Sequence, residues 1–160
     1  MAKATTAQIL KKLKALHTDK PDPQPGRPGS PTPLPDAFYS EVKTGRSLPG
    51  CLRFDAVAVK QSWKKPLIIG YEIKVSRNDF LRDKKWRNYQ KYCHELWFAS
   101  PPGVVKLDDL RGCGDVGLIY YSSEHDCLFV KRRAMYRQID LRSKEVVDML
   151  YYLAMYRSCS

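Results

Sequence analysis

Histidine is scarce in this sequence, three in 160 residues, and His17, His94 and His125 stand far apart along the chain. That spacing supports neither a zinc site nor a nucleophile activated by histidine. Cysteine never occurs as Cys-x-x-Cys. Cys51, Cys93, Cys113, Cys127 and Cys159 are scattered, and their odd number leaves at least one thiol unpaired in a monomer. The pattern argues against structural zinc and for a reducing compartment. Long apolar runs are missing too: Lys11, Lys12 and Lys14 interrupt the N-terminal region, and no segment approaches membrane-spanning length. The expectation is a soluble, cytoplasmic protein with no membrane partner. Gly112-Cys113-Gly114 lacks the Lys-Ser/Thr pair and the helix of a phosphate loop, so it reads as a turn.

Acidic residues are the minority charge. Against 17 of them stand 28 lysines and arginines, giving a formal net charge of +11 and a pI near 9.5. This balance suits a polyanion such as nucleic acid, with plain solubility charge as the other reading. A length of 160 residues with 43% hydrophobic side chains fits one globular core rather than a two-domain enzyme.

Three regions follow from the pattern along the chain. Residues 1–18 hold an amphipathic helix, with Ile9, Leu10, Leu13 and Leu16 at helical spacing between lysines. Residues 19–35 carry seven of the eleven prolines and read as an extended connector. It either holds the helix against the rest or frees it for a partner. The compact domain restarts near Asp36 and runs over 36–160.

Within that domain, Leu52 to Val59 alternates as a strand, with Arg53, Asp55, Val57 and Val59 on one side. Leu67 to Val75 begins apolar on both faces, the mark of a strand covered above and below. Ser76 and Asp79 match a capping pattern, which predicts a helix from Arg77 to about His94 with Trp86, Tyr89, Cys93 and Leu96 as its stripe. Short apolar runs at Leu96–Ala99, Gly117–Tyr121 and Cys127–Lys131 predict further strands. A helix over Lys144–Tyr156 closes the chain, with Val147, Leu150, Tyr151 and Ala154 on one face. The order describes an α/β or α+β domain whose mixed sheet is covered by helices.

Glu72 and Lys74 lie two apart on one strand and so share a face, with α-carbons about 6–7 Å apart. Pairing with the Leu52–Val59 strand brings Asp55 to that face. Two carboxylates on rigid strands make a hard-oxygen site for Mg²⁺ or Mn²⁺. A lysine beside the metal can orient an attacking water and neutralise developing charge, which is what phosphodiester hydrolysis requires. Glu41 is the candidate third carboxylate, read equally well as a surface residue because no regular element fixes its direction. Asp55 likewise admits a plain pairing with Arg53, and a lone Glu-x-Lys is common on solvated strand faces.

The order Glu41, Asp55, Glu72-Ile73-Lys74 resembles the PD-(D/E)xK nuclease superfamily. The longer stretch from Tyr71-Glu72-Ile73-Lys74-Val75-Ser76-Arg77-Asn78-Asp79-Phe80 through Asp83, Trp86, Tyr89 and Tyr92 to Phe98-Ala99-Ser100-Pro101-Pro102 is similar to the MmcB-like DNA-repair family. It departs at His94, where the family pattern often has Asp, and in the proline-rich insertion. The resemblance implies a restriction-endonuclease-like core, a mixed β-sheet flanked by helices. It implies metal binding by Asp55, Glu72 and the Ile73 carbonyl, with Glu41 bound directly or through water. Lys74 would serve the water in a hydrolysis of DNA, and repair or replication proteins would be partners. The alternative is a catalytically weak DNA-binding accessory module of a repair complex. A third reading is a protein-interaction domain whose charge is incidental.

Arg77, Arg82, Lys84, Lys85, Arg87 and Lys91 give the predicted helix a basic face suited to phosphates, and Lys131, Arg132 and Arg133 form a second cluster. Solvated surface is the equal alternative for each.

Overall fold

A computed structural model of the protein describes residues 3–19, 36–45, 49–60, 62 and 64–157. Residues 20–35 of the proline-rich connector expected over 19–35, and Cys159, lie outside them. The described cysteines Cys51, Cys93, Cys113 and Cys127 are free thiols. No helix among the described residues is long and apolar enough to cross a membrane.

Six strands form one mixed sheet in sequential order: β1 (Ala37–Lys43), β2 (Arg53–Lys60), β3 (Leu67–Ile73), β4 (Glu95–Ser100), β5 (Gly117–Ser122) and β6 (Cys127–Arg132). The first three pair antiparallel, β3 to β5 run parallel, and β6 returns antiparallel. Helix α1 (Thr6–Thr18) covers one face, while α2 (Arg77–Arg82), a 3-10 helix (Trp86–Tyr92) and α3 (Lys144–Arg157) cover the other. This is the α/β sandwich expected, and it is consistent with a restriction-endonuclease-like core.

Local sequence explains most elements and corrects several expectations. Thr5 caps α1 in a reciprocal box with Gln8, satisfying orphan donors at the helix start. Its buried face is Ile9, Leu13 and His17 at a spacing of four, whereas the predicted Leu16 is half exposed at 52%. Asp36 N–H donates to His17 O at 3.1 Å, so the residues flanking the connector are joined. β3 is buried from Ile68 onward, as a central strand between two layers must be.

The long helix expected over Arg77–His94 does not form. α2 ends at Arg82, Asp83 adopts an extended backbone (ψ 103°), and a 3-10 helix takes over from Trp86. Trp86, Tyr89 and Tyr92 are its buried residues; their spacing of three matches the three-residue turn of a 3-10 helix, not the 3.6 of an α-helix. Nor does the Ser76 side chain cap α2. α3 forms where predicted, but it buries Val146, Met149 and Leu153, leaving Val147 and Tyr151 exposed. β1 was not anticipated at all.

Candidate active site

Pairing of β2 with β3 has Ala56 opposite Tyr71 as its last matched step. One residue further, Asp55 faces Glu72 on the side covered by α2, the 3-10 helix and α3. Gly70 makes room beside them: a Cβ there would lie 2.4 Å from Phe54 Cε1, so a side chain at this position would expel the ring. Phe54 in turn packs against Tyr89 in a tilted ring pair with centroids 4.5 Å apart, and Tyr89 donates its hydroxyl to Arg53 O at 2.8 Å. The start of β2 is thereby pinned to the helical layer.

Each site residue has defined partners. Asp55 Oδ2 accepts from the Ile73 N–H at 2.7 Å. Lys74 continues the pairing past the end of β3 through its N–H to Ala99 O at 3.0 Å. Its ammonium donates to Asp83 Oδ2 at 2.6 Å and lies 3.5 Å from Glu72 Oε2. Glu72 is only 3% exposed, yet its Oε1 has no hydrogen-bond partner. A second buried oxygen without a partner, Ser100 Oγ, sits on β4. Phe98 is paired with Glu72, so Ser100, two residues on, occupies the same sheet face.

Electrostatics follow from this burial. Loss of hydration, and next the Asp55 charge, push the Glu72 carboxyl up to about 8 despite Lys74. Burial likewise raises Asp55 above the usual carboxylate range, against the opposing pull of the Ile73 N–H and of Lys74. For Lys74 burial works against the charge, but the Asp83 hydrogen bond and the Glu72, Asp83 and Asp55 carboxylates outweigh it and hold the ammonium charged. Two facing carboxyls, both resisting ionisation and one with an unpartnered oxygen, fit a hard divalent cation, which would supply the missing positive charge. Mg²⁺ needs only one or two protein carboxylates when water and phosphate complete its shell.

The sequence-chosen residues are thus partly assembled. Asp55, Glu72 and Lys74 come together, with Ile73 contributing its N–H to Asp55. Glu41 does not join them. Strand register places it opposite Asp55, between the Ser40–Ala56 and Val42–Phe54 pairs, but its backbone is left-handed (φ 52°), a conformation uncommon outside glycine. Its side chain is 70% exposed, with Arg53 at 3.9 Å. Among the described residues no three His, Cys, Asp or Glu side chains cluster as a metal cage. Asp83 and Ser100 are the site residues that sequence reasoning missed.

The predicted basic residues divide. Arg82, Lys84 and Lys85 are exposed around Asp83. Arg87 is exposed over the Trp86 ring at 4.9 Å, and Lys91 is exposed with Glu145 at 3.9 Å. Lys131 and Arg133 are exposed on and just beyond β6, which is separated from β3 by β4 and β5. Two arginines are instead committed within the fold. Arg77 grips the Asp109 carboxylate and donates to Val104 O. Arg132 donates to the carbonyls of Val116, Leu110 and Cys113.

A family model described as DNA repair protein MmcB-like matches residues 38–139. The chain belongs to that family. The matched span runs from β1 to the segment before α3 and includes Asp55, Glu72, Lys74, Asp83 and Ser100. Membership in the MmcB-like family is consistent with the broader PD-(D/E)xK placement. Among solved structures, a protein of unknown function from Silicibacter pomeroyi shares the fold, with 21% identity, a TM-score of 0.55, and coverage of 74% of this chain and 75% of that one. No curated protein sequence matches.

Proposed function

We propose that this member of a DNA-repair family is a Mg²⁺- or Mn²⁺-dependent deoxyribonuclease. The observation that carries the reading is the buried Glu72 carboxyl with an unpartnered oxygen, facing Asp55 and flanked by the Lys74 ammonium. Asp55 and Glu72 would hold the cation, with the Ile73 carbonyl as a third donor. Such an ion supplies Lewis-acid stabilisation of the phosphate and of the attacking oxygen. Lys74 would orient water toward phosphorus and offset charge on the phosphoryl oxygens as the bond to the leaving oxygen breaks. Exposed Arg82, Lys84 and Lys85 at the rim would hold flanking phosphates.

The test is incubation with single- and double-stranded DNA plus Mg²⁺ or Mn²⁺, with a chelator control. Wild type cleaves only with metal, and Lys74→Ala lowers the rate by about 10²-fold or more. Absence of cleavage with either metal would count against the proposal. A second reading, an accessory DNA-binding module, draws on the outward turn of Glu41, which leaves two carboxylates where the resemblance implied three. Retained DNA binding by wild type and Lys74→Ala alike, with no cleavage by either, favours it.

A further inference from the structure

Asp83 ends the first helix of the segment that had been expected to run unbroken, and its carboxylate is used on both sides. Oδ2 accepts from Lys74 Nζ at 2.6 Å, and Oδ1 accepts from the Lys85 N–H at 2.9 Å. Its backbone N–H closes α2 on the carbonyls of Asp79 and Phe80. Phe80 is buried, edge-on to Phe98 with centroids 5.3 Å apart, and Phe98 is the β4 residue registered with Glu72. An unbroken chain of contacts therefore runs from the sheet beneath the site, through Phe80 and the end of α2, to the lysine ammonium.

A lysine side chain has four rotatable carbons, and left alone it would spread its ammonium over several ångströms. A buried lysine beside Glu72 would also collapse onto that carboxylate as a plain ion pair and compete with any cation there. Instead the shorter bond is to Asp83, and Glu72 Oε2 stands off at 3.5 Å. We infer that Asp83 is a positioning residue: it draws the Lys74 ammonium away from Glu72, keeping the Asp55–Glu72 pair open to a cation while aiming Lys74 at the water. Each Asp83 carboxylate oxygen thus has a fixed partner, Lys74 Nζ on one and the Lys85 N–H on the other.

This inference rests on the nuclease reading and is tested beside it. The variants are Asp83→Asn, which keeps the shape and an acceptor for Lys85 N–H but loses the charge, and Asp83→Glu, which keeps the charge. Two measurements are made on each: steady-state cleavage of DNA with Mn²⁺, and the rate at which an amine-acylating reagent modifies Lys74, read by mass spectrometry with Lys84 as the internal control. Asp83→Asn is expected to lower kcat by about 10²-fold, the size of effect a misplaced group produces, with KM unmoved. Lys74 should acylate faster than in wild type while Lys84 does not change, and Asp83→Glu should recover part of both. An Asp83→Asn protein with wild-type kcat overturns the inference and leaves the nuclease reading standing. Unchanged Lys74 acylation overturns it as well, whatever the kinetics. Wild type that cleaves nothing removes the nuclease reading, and this inference with it.

Discussion

Tyr71 and Glu72 are neighbours on β3, and they send their polar atoms to opposite faces of the sheet with opposite outcomes. On the α1 face the Tyr71 hydroxyl lies 2.7 Å from His17 Nε2, and His17 Nδ1 lies 2.8 Å from Asp36 Oδ2. Both ring nitrogens are occupied, and Phe38 stacks on the imidazole. On the other face Glu72 Oε1 and Ser100 Oγ are buried without partners. The two faces share a strand, a degree of burial and a mixture of carboxylate and neutral polar groups. Only one of them is complete. A buried polar group that serves the fold is normally satisfied, because leaving it unpaired costs about 1–3 kcal/mol. The incomplete face is where the molecule retains capacity to bind something else.

The comparison breaks first at His17. If the α1 face is structural, His17→Ala removes the imidazole that bridges the buried Asp36 carboxylate and the Tyr71 hydroxyl. The expected loss is about 3 kcal/mol of folding stability, read as a lower denaturant midpoint at unchanged m-value. DNA binding by the folded protein should be unaffected, since this face lies across the sheet from the carboxylate pair. A loss under about 1 kcal/mol would mean that the network is ornamental, and the contrast between the faces would fail.

Glu72→Gln tests the other face, and the expected sign is reversed. The folded protein raises this carboxyl from 4.5 to about 8, so between those values the native state binds a proton that the unfolded chain has released. Its contribution to stability is therefore complete below about pH 4.5 and is lost as pH rises through 8. Gln cannot ionise and is free of that loss. Without metal, Glu72→Gln should match wild type near pH 4.5 and exceed it above pH 8, by roughly a few kcal/mol, in thermal melts across pH. A variant less stable than wild type at high pH would show that Glu72 is held by the fold rather than strained by it.

How much of this was written in the chain differs between the two faces. Asp55, Glu72 and Lys74 were legible because strand parity is strict: residues two apart share a face, and a fully apolar start to β3 announces a covered strand. Asp83 was hidden, since a helix drawn from Arg77 to His94 passes through it, and only the spacing of three in Trp86, Tyr89 and Tyr92 hints at the change of helix type. Ser100 gives no signal, because its lack of a partner is a property of the packed interior. β1 escaped notice because Glu41 turns left-handed in mid-strand and spoils the alternation around it. The face of α3 was misjudged for a different reason. Val146, Val147, Met149, Leu150, Tyr151, Tyr152 and Leu153 make that helix apolar nearly all round, so periodicity alone does not say which side meets the sheet. The network on the α1 face joins His17, Asp36 and Tyr71 across long separations in sequence, beyond the reach of any local pattern.

The same division between committed and open groups runs through the basic residues, with smaller consequences. Arg132 spends its guanidinium on the carbonyls of Leu110, Cys113 and Val116, whereas Lys84 and Lys85 are exposed beside the site. Charge alone does not distinguish them, but the dependence of DNA affinity on salt does. A lysine that meets a phosphate releases counterions, so its removal should lower the slope of log affinity against log salt by about 0.7–0.9. Lys84→Ala and Lys85→Ala are each expected to show that reduction and no change in melting temperature. Arg132→Ala should lower the melting temperature, because three buried or half-buried carbonyls lose a charged donor, and should leave the slope as it was. If Arg132→Ala flattens the slope as much as Lys84→Ala, the guanidinium reaches phosphate despite its internal partners. Satisfaction of a polar group within the fold would then be no guide, on either face of the sheet, to which groups are available for a ligand.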